Sequence, residues 1–397
     1  MSTQEIDPSG DAIITLRSSK APFAVWEPRP AIKDLSADDP CGGSIEKTEN
    51  KKMHEKELLL TTPEVDPDAG TVRFLVSSRH LTLASPMIKA MLSNSSGWSE
   101  AQKDGAGLYQ IEAEGWDETA FTIVLDVLHC RYRKVPQTVE LEMLAKIAVV
   151  VDYYQVHEAM VLASRTWLGS LKAAELQPTN LNRELCLWLT VASVFTEAEM
   201  FKSLTRVAMM QSWAGMKFPA DLPIPSGVSS RIQTLRLYCV KLISRVLRGL
   251  SEDYVEGRRG CTFECTAMHL GVLTLKMGQL KIGNSIFMGL ATLEELTNGL
   301  KEMKSPDWYD WRGNSHSCRA KTGSTASVAN KVLDDLGYPV DGTLDTLATQ
   351  LARSVTDMTG LELSDFVKAR PGKETLLERL SRFDISGRPR MATMYDR

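Results

Sequence analysis

The sequence lacks the features that mark several large classes of protein. Its 46 basic residues against 50 acidic ones give a formal net charge of −4, so the basic surface of a dedicated nucleic-acid-binding protein is not expected. The longest apolar run, Ile147–Val151, is far shorter than the ~20 residues of a membrane-spanning helix. Early acids at Glu5 and Asp7 argue against a secretory signal peptide. We therefore predict no nucleic-acid partner, no membrane association, and a cytoplasmic or nuclear location.

Cysteine is sparse, and the sequence motifs of common enzymes are missing. The seven cysteines are an odd number and are dispersed over 397 residues, unlike the dense cysteines of a small disulfide-bonded secreted domain. The glycine-rich nucleotide-binding patterns, the His-Glu-x-x-His metalloprotease pattern and the Gly-x-Ser-x-Gly nucleophile pattern are absent. We predict that the protein is not an enzyme and uses no cofactor, with a structural zinc ion as the alternative.

The N-terminal part of the chain alternates between irregular and strand-like composition. Residues 1–56 show little periodicity and several Pro and Gly residues, which predicts a flexible segment. The runs Leu58–Thr62 and Val72–Val76 are strand-like and flank turn residues, which predicts a hairpin. A second alternative is open: Ala12–Leu16 supplies the first strand, and residues 17–56 are an insertion within the hairpin.

Helical periodicity begins after Ser78 and continues to Lys172. Two short helices are separated at Pro86, a residue suited to the first position of a helix. A short strand at Leu108–Ile111 and three apolar helices follow. His80 and His129 are interpreted as a residue at a strand exit and a cation at a helix end, rather than as a catalytic pair. The predicted order is strand, strand, two short helices, strand, three helices.

Residues 57–172 resemble a BTB/POZ domain, in the form common among fungal members. The resemblance rests on Val72–Leu92, where a strand runs into a helical hairpin through Ser and His, and on residues 117–129 and 144–154. It implies an α+β fold in which a small mixed sheet carries a helical cluster. It also implies a protein-interaction function, in which the domain forms homodimers or heterodimers and the chain acts as an adaptor or scaffold.

The same resemblance implies a partner-binding turn. Relatives that bind cullin-type ubiquitin ligases carry a hydrophobic residue, any residue and then Glu in the loop before the third strand. Trp98-Ser99-Glu100 stands at this place, so Trp98 and Glu100 are predicted partner-binding residues. A substrate adaptor of a cullin ligase is therefore an alternative function. The other interpretation is that Trp98 packs on its own domain.

Residues 173–386 are predicted to form a mainly α-helical C-terminal region, followed by a flexible tail at 387–397. This region contains four candidate zinc ligands, namely Cys261, Cys265, His316 and Cys318. In a helix, Cys261, Cys265 and His269 would share one face. Fungal BTB proteins are similar here, with Gly-Cys-x-Phe-Glu-Cys followed later by His-x-Cys. Packing of these cysteines as small apolar residues is the other interpretation, and an enzyme with a metal site in this region is a second alternative function.

Overall fold

The computed structural model describes residues 2–17, 21–30, 71–93, 98–173, 178–282, 290–306, 309, 316, 327–337 and 343–367. Within these residues the chain is α+β, as predicted, with one four-stranded mixed sheet near the N-terminus and thirteen helices. No helix of the described residues is both long enough and apolar enough to cross a membrane.

The sheet combines parallel and antiparallel pairing. Its strands are β1 (Ser2–Glu5), β2 (Ala12–Arg17), β3 (Thr71–Val76) and β4 (Tyr109–Glu114). They lie in the order β1-β3-β2-β4, and only the β2–β3 pair is antiparallel. Ile14 lies opposite Phe74 on one side and Ile111 on the other, and all three side chains are buried. The two-residue period of the strands places these apolar residues on the face that the helices cover.

The first strand of the predicted hairpin is Ala12–Arg17, the second of the two alternatives. Both edges of β3 are occupied, one by β1 and the other by β2. Residues 58–62, the first alternative, lie outside the described residues. Residues 12–16 were predicted as a possible strand within the N-terminal segment, and Ala12, Ile14 and Leu16 are buried in the sheet, whereas the strand at Ser2–Glu5 was not predicted.

The helices follow the predicted order in the N-terminal part and continue to residue 367. They are α1 (Ser78–Ala84), α2 (Pro86–Met91), α3 (Glu118–Leu128), α4 (Leu141–Tyr154), α5 (His157–Ala173), α6 (Arg183–Val194), α7 (Ala198–Gln211), α8 (Val228–Val255), α9 (Phe263–Gln279), α10 (Leu293–Lys301), α11 (Val328–Asp335), α12 (Leu344–Thr356) and α13 (Leu363–Val367). The second helix begins at Pro86 as predicted, and the Ser85 hydroxyl caps it by accepting from Ile88 N at 3.0 Å. A 3₁₀ turn at Ser99–Ala101 precedes β4.

A short extended segment, residues 21–30, ties the N-terminal part to the later helices. Ala24 is fully buried, and its N–H donates to Asp221 Oδ2 at 2.6 Å while its carbonyl accepts from Arg183 Nε at 3.2 Å. Arg29 forms a two-pronged ion pair with Glu295, at 2.7 and 3.1 Å. Long-range contacts therefore hold Ala24 and Arg29, although most residues of the segment are exposed.

The hydrophobic core is continuous from the sheet to the last helices. It contains residues from Ile6 to Leu363, and α4 packs against α6 across the predicted domain boundary at 172/173. The boundary itself stays a prediction.

Candidate functional site

Three of the four predicted zinc ligands converge in the C-terminal region. Cys261 directly precedes α9, Cys265 lies in its first turn, and His316 reaches them from 55 positions beyond Cys261. The Cys261 Sγ lies 3.3 Å from His316 Nε2, and the three ligand atoms all lie within 4.8 Å of one another. Cys318, the fourth predicted ligand, lies outside the described residues. The structure thus brings together residues that the sequence separates widely.

These separations suit a small tetrahedral ion. With Zn–S near 2.3 Å and Zn–N near 2.0–2.1 Å, tetrahedral angles put two sulfurs about 3.8 Å apart and a sulfur and a nitrogen about 3.6 Å apart. Cys265 is fully buried, whereas Cys261 and His316 are half-buried. Neither Cys261 nor Cys265 is in a disulfide. The three ligand atoms occupy three of the four positions of a tetrahedral site.

Local sequence chemistry places the two cysteines. Gly260 has a φ of +92°, and a Cβ at this position would lie 2.2 Å from the Thr266 hydroxyl. The Thr262 hydroxyl caps α9 by accepting from Cys265 N at 3.2 Å. Cys261 is therefore turned toward the site from outside the helix, and the expectation that it shares a helical face with Cys265 is wrong in that detail. The helix begins two residues later, at Phe263.

A buried polar network anchors the loop that leads to Cys261. Asp253 and Arg259 form an ion pair at 3.3 Å, and both side chains are almost fully buried. The Ser327 hydroxyl donates to Asp253 at 2.5 Å, and Arg259 donates to the Asn330 side chain. Arg258 adds a second bond to Asp253 at 2.8 Å from the solvent side. This network joins the ends of α8 and α11 beside the cysteine pair.

His269 lies one turn beyond Cys265 and supports it without joining the group of three. Its Nδ1 donates to the carbonyl of Cys265 at 2.8 Å and lies 3.6 Å from the Cys265 sulfur. Its ring stacks on Tyr254, with centroids 5.5 Å apart. Hydrogen bonds made to metal ligands by the residues around them orient those ligands. The four-residue spacing of Cys265 and His269 in the sequence predicted that they would lie on one face of a helix.

The predicted partner-binding residues lie together on the 3₁₀ turn before β4. Trp98 keeps 39% of its surface exposed, and Glu100 accepts from the Ser99 hydroxyl at 3.0 Å. A ring and a carboxylate are therefore presented on one short turn. On α1, Leu83 is 88% exposed.

Sequence reasoning missed the polar contacts that fix the start of α1. Asp11, just before β2, accepts from the Ser78 N–H and hydroxyl, both at 2.8 Å. His129 accepts from Ser77 N at 3.0 Å through Nε2, while its Nδ1 donates to Leu125 O at 2.8 Å. A ring that accepts at one nitrogen and donates at the other is neutral, so the interpretation of His129 as a helix-end cation is wrong. Such pairs, 52 and 67 positions apart, leave no local sequence signal.

No protein-family model matches this chain, and no curated protein or solved structure matches it either.

Proposed function

We propose that this protein is a non-enzymatic protein-interaction protein, an adaptor or scaffold whose N-terminal part is a BTB/POZ-like domain that forms dimers. The observation that carries the proposal is the connectivity of the N-terminal part. There β2 pairs with antiparallel β3 and parallel β4, a helical hairpin (α1–α2) connects β3 to β4, and three helices follow. This order is the one that the resemblance implies.

The residues at the strand and hairpin entries also support the proposal. BTB/POZ domains usually open their first strand with Asp-Val, and this chain departs from that pattern, with Asp11-Ala12 at the entry to β2. Asp11 binds Ser78, the residue at which β3 passes into α1. Ser77, Ser78 and His129, which belong to the segments that carry the resemblance, thus make structural hydrogen bonds at the start of α1. These contacts account for the three residues without a catalytic role.

Leu83 supplies the surface on which the second copy of the chain would pack. It lies on α1 with 88% of its surface exposed, beside the partly buried Ala84 and Met87 of the same hairpin. Burial of a leucine side chain contributes about 1.5–3 kcal/mol, and a symmetric dimer buries two.

Light scattering after size-exclusion chromatography tests the dimer directly. We expect a dimer for the full chain and a monomer for Leu83→Asp. Leu162→Asp is the matched control, because Leu162 is 71% exposed on α5 and is not in the proposed contact. A monomeric wild-type chain, or a Leu83→Asp variant that remains dimeric, would reject the proposal.

A substrate adaptor of a cullin ligase is the second candidate function. It is favoured by the exposed turn on which Trp98 and Glu100 lie together before β4. Titration calorimetry with a purified cullin N-terminal region should give binding that Glu100→Lys and Trp98→Ala abolish. Glu158→Lys, which changes an exposed acid on α5, should bind normally. Absence of binding by the wild-type chain would reject this candidate and leave the dimer proposal standing.

A further inference from the structure

We propose that Cys261, Cys265 and His316 bind a structural zinc ion that cross-links the C-terminal helical region. The site is separate from the surfaces assigned to partner binding, and the proposal does not depend on them. It rests on the convergence of three ligand atoms from two chain segments.

The donor set selects the metal. The group contains two thiols and one imidazole and no carboxylate. Soft thiolate and imidazole ligands at tetrahedral separations are typical of zinc, whereas magnesium and calcium require oxygen ligands.

The convergence is more than the packing of small apolar cysteines. A cysteine that merely fills the core places its sulfur among carbon atoms. Here the Cys261 sulfur lies 3.3 Å from an imidazole nitrogen that comes from 55 positions away. His269 meanwhile directs its Nδ1 at the backbone and the sulfur of Cys265.

The surrounding structure holds the ligands in place before any metal binds. The buried Asp253–Arg259 pair anchors the loop, Gly260 turns it, and the cap at Thr262 starts the helix that carries Cys265. A preorganised site loses less conformational freedom on binding.

A zinc ion at this site would stabilise the region by closing a long loop. It would join α9 to His316, across the 55 positions that separate His316 from Cys261. Closing such a loop restricts the unfolded chain, and the binding free energy of the metal becomes folding free energy. We therefore expect the C-terminal region to lose stability when zinc is removed.

Metal analysis of the purified full chain tests the proposal. Inductively coupled plasma mass spectrometry should find one zinc per chain in the wild-type protein and in Cys130→Ser, a control at an exposed free cysteine. Cys261→Ser and His316→Ala should lose it, with circular dichroism to verify that both variants are folded. The proposal is overturned if the wild-type chain, after incubation with zinc and desalting, holds no stoichiometric zinc. It is equally overturned if both folded variants retain the metal.

Cobalt substitution keeps the test decisive if the variants fail to fold. Cobalt(II) bound to the wild-type chain should show thiolate-to-cobalt charge-transfer absorption, because two of the three ligands are sulfurs. Bound cobalt without this absorption would place the metal elsewhere and overturn the proposal. A chelator should also lower the melting temperature of Cys130→Ser as it does that of the wild-type chain.

Discussion

The guanidinium of Arg259 and the carboxylate of Asp253 form an ion pair inside the C-terminal region, with Nε 3.3 Å from Oδ2. The pair spans only six residues, yet it organises three parts of the chain. Asp253 lies in the last turn of α8, Arg259 leads to Cys261, and Ser327, whose hydroxyl completes the network, caps the start of α11. The stability of the proposed zinc site therefore depends on charges that do not touch the metal.

Arg259→Met is expected to lower the free energy of unfolding by about 1.5–3 kcal/mol, because it removes a buried charge-assisted bond to Asp253 while Arg258 and Ser327 still donate to that carboxylate. Arg258→Met is the matched control on the same carboxylate. The Arg258 side chain is 26% exposed, against 3% for Arg259, so water can replace it and the expected loss is about 1 kcal/mol. Urea denaturation measures both. Equal losses would contradict the role assigned to Arg259.

Gly260→Ala is expected to destabilise the chain more than Gly257→Ala. Both glycines have positive φ, which costs an alanine about 1–2 kcal/mol. Only at Gly260 does the added Cβ also collide, with the Thr266 hydroxyl. We expect Gly260→Ala to retain less zinc as well, and Gly257→Ala to retain the wild-type amount. Thermal melting measures the loss of stability, and metal analysis measures the retained zinc. Equal melting temperatures for the two variants would contradict the collision between a Cβ at position 260 and Thr266.

The N-terminal part should lose stability as the pH falls below neutrality. Burial lowers the pKa of His129, opposed by its hydrogen bond to Leu125 and assisted by the nearby His80. In the unfolded chain His129 has the ordinary histidine pKa of about 6.5, so it binds a proton more readily there than in the folded chain. Stability is thus full above that pH and declines below it. Urea denaturation at pH values above and below about 6.5 should show that the free energy of unfolding falls less in His129→Gln than in the wild-type chain. An equal fall in both would exclude His129 as the cause of the pH dependence.

Asp11 and Ser78 should behave as a coupled pair. Asp11→Ala is expected to cost about 0.5–2 kcal/mol, since it removes the acceptor for the start of α1. Ser78→Ala removes one of the two bonds. A double-mutant cycle by urea denaturation should give a coupling energy of about 0.5 kcal/mol or more. Strictly additive losses would show that the two residues act independently.

The assignment of Cys318 as the fourth zinc ligand remains a prediction from the sequence. It follows His316 by two positions, within reach of the same ion at about 3.3–3.6 Å of chain per residue. Cys318→Ser should then lose zinc to a competing chelator faster than Cys130→Ser does. Equal rates would indicate that another group fills the fourth position.

Several local features of the fold could be predicted from the sequence, each for a local reason. Pro86 has a φ that suits the first turn of a helix, so α2 begins there. Cys261 and Cys265 were predicted to belong to one site because residues four positions apart lie on the same face of a helix. The helix start at Phe263 was not predicted, because the spacing of Cys261, Cys265 and His269 carries no information about where the helix begins.

The sequence by itself determined the α+β class, the order of elements from β3 to α5 and the candidate ligands, because periods of two and 3.6 residues are local properties. Tertiary structure alone decided which strand pairs with β3, since both alternatives have strand-like composition. It alone decided that Ala24 and Arg29 are tied to later parts of the chain, because their partners Asp221, Arg183 and Glu295 are remote in sequence. It alone brought His316 to the cysteines. Each of these depends on contacts over long sequence separation, for which a local pattern carries no information.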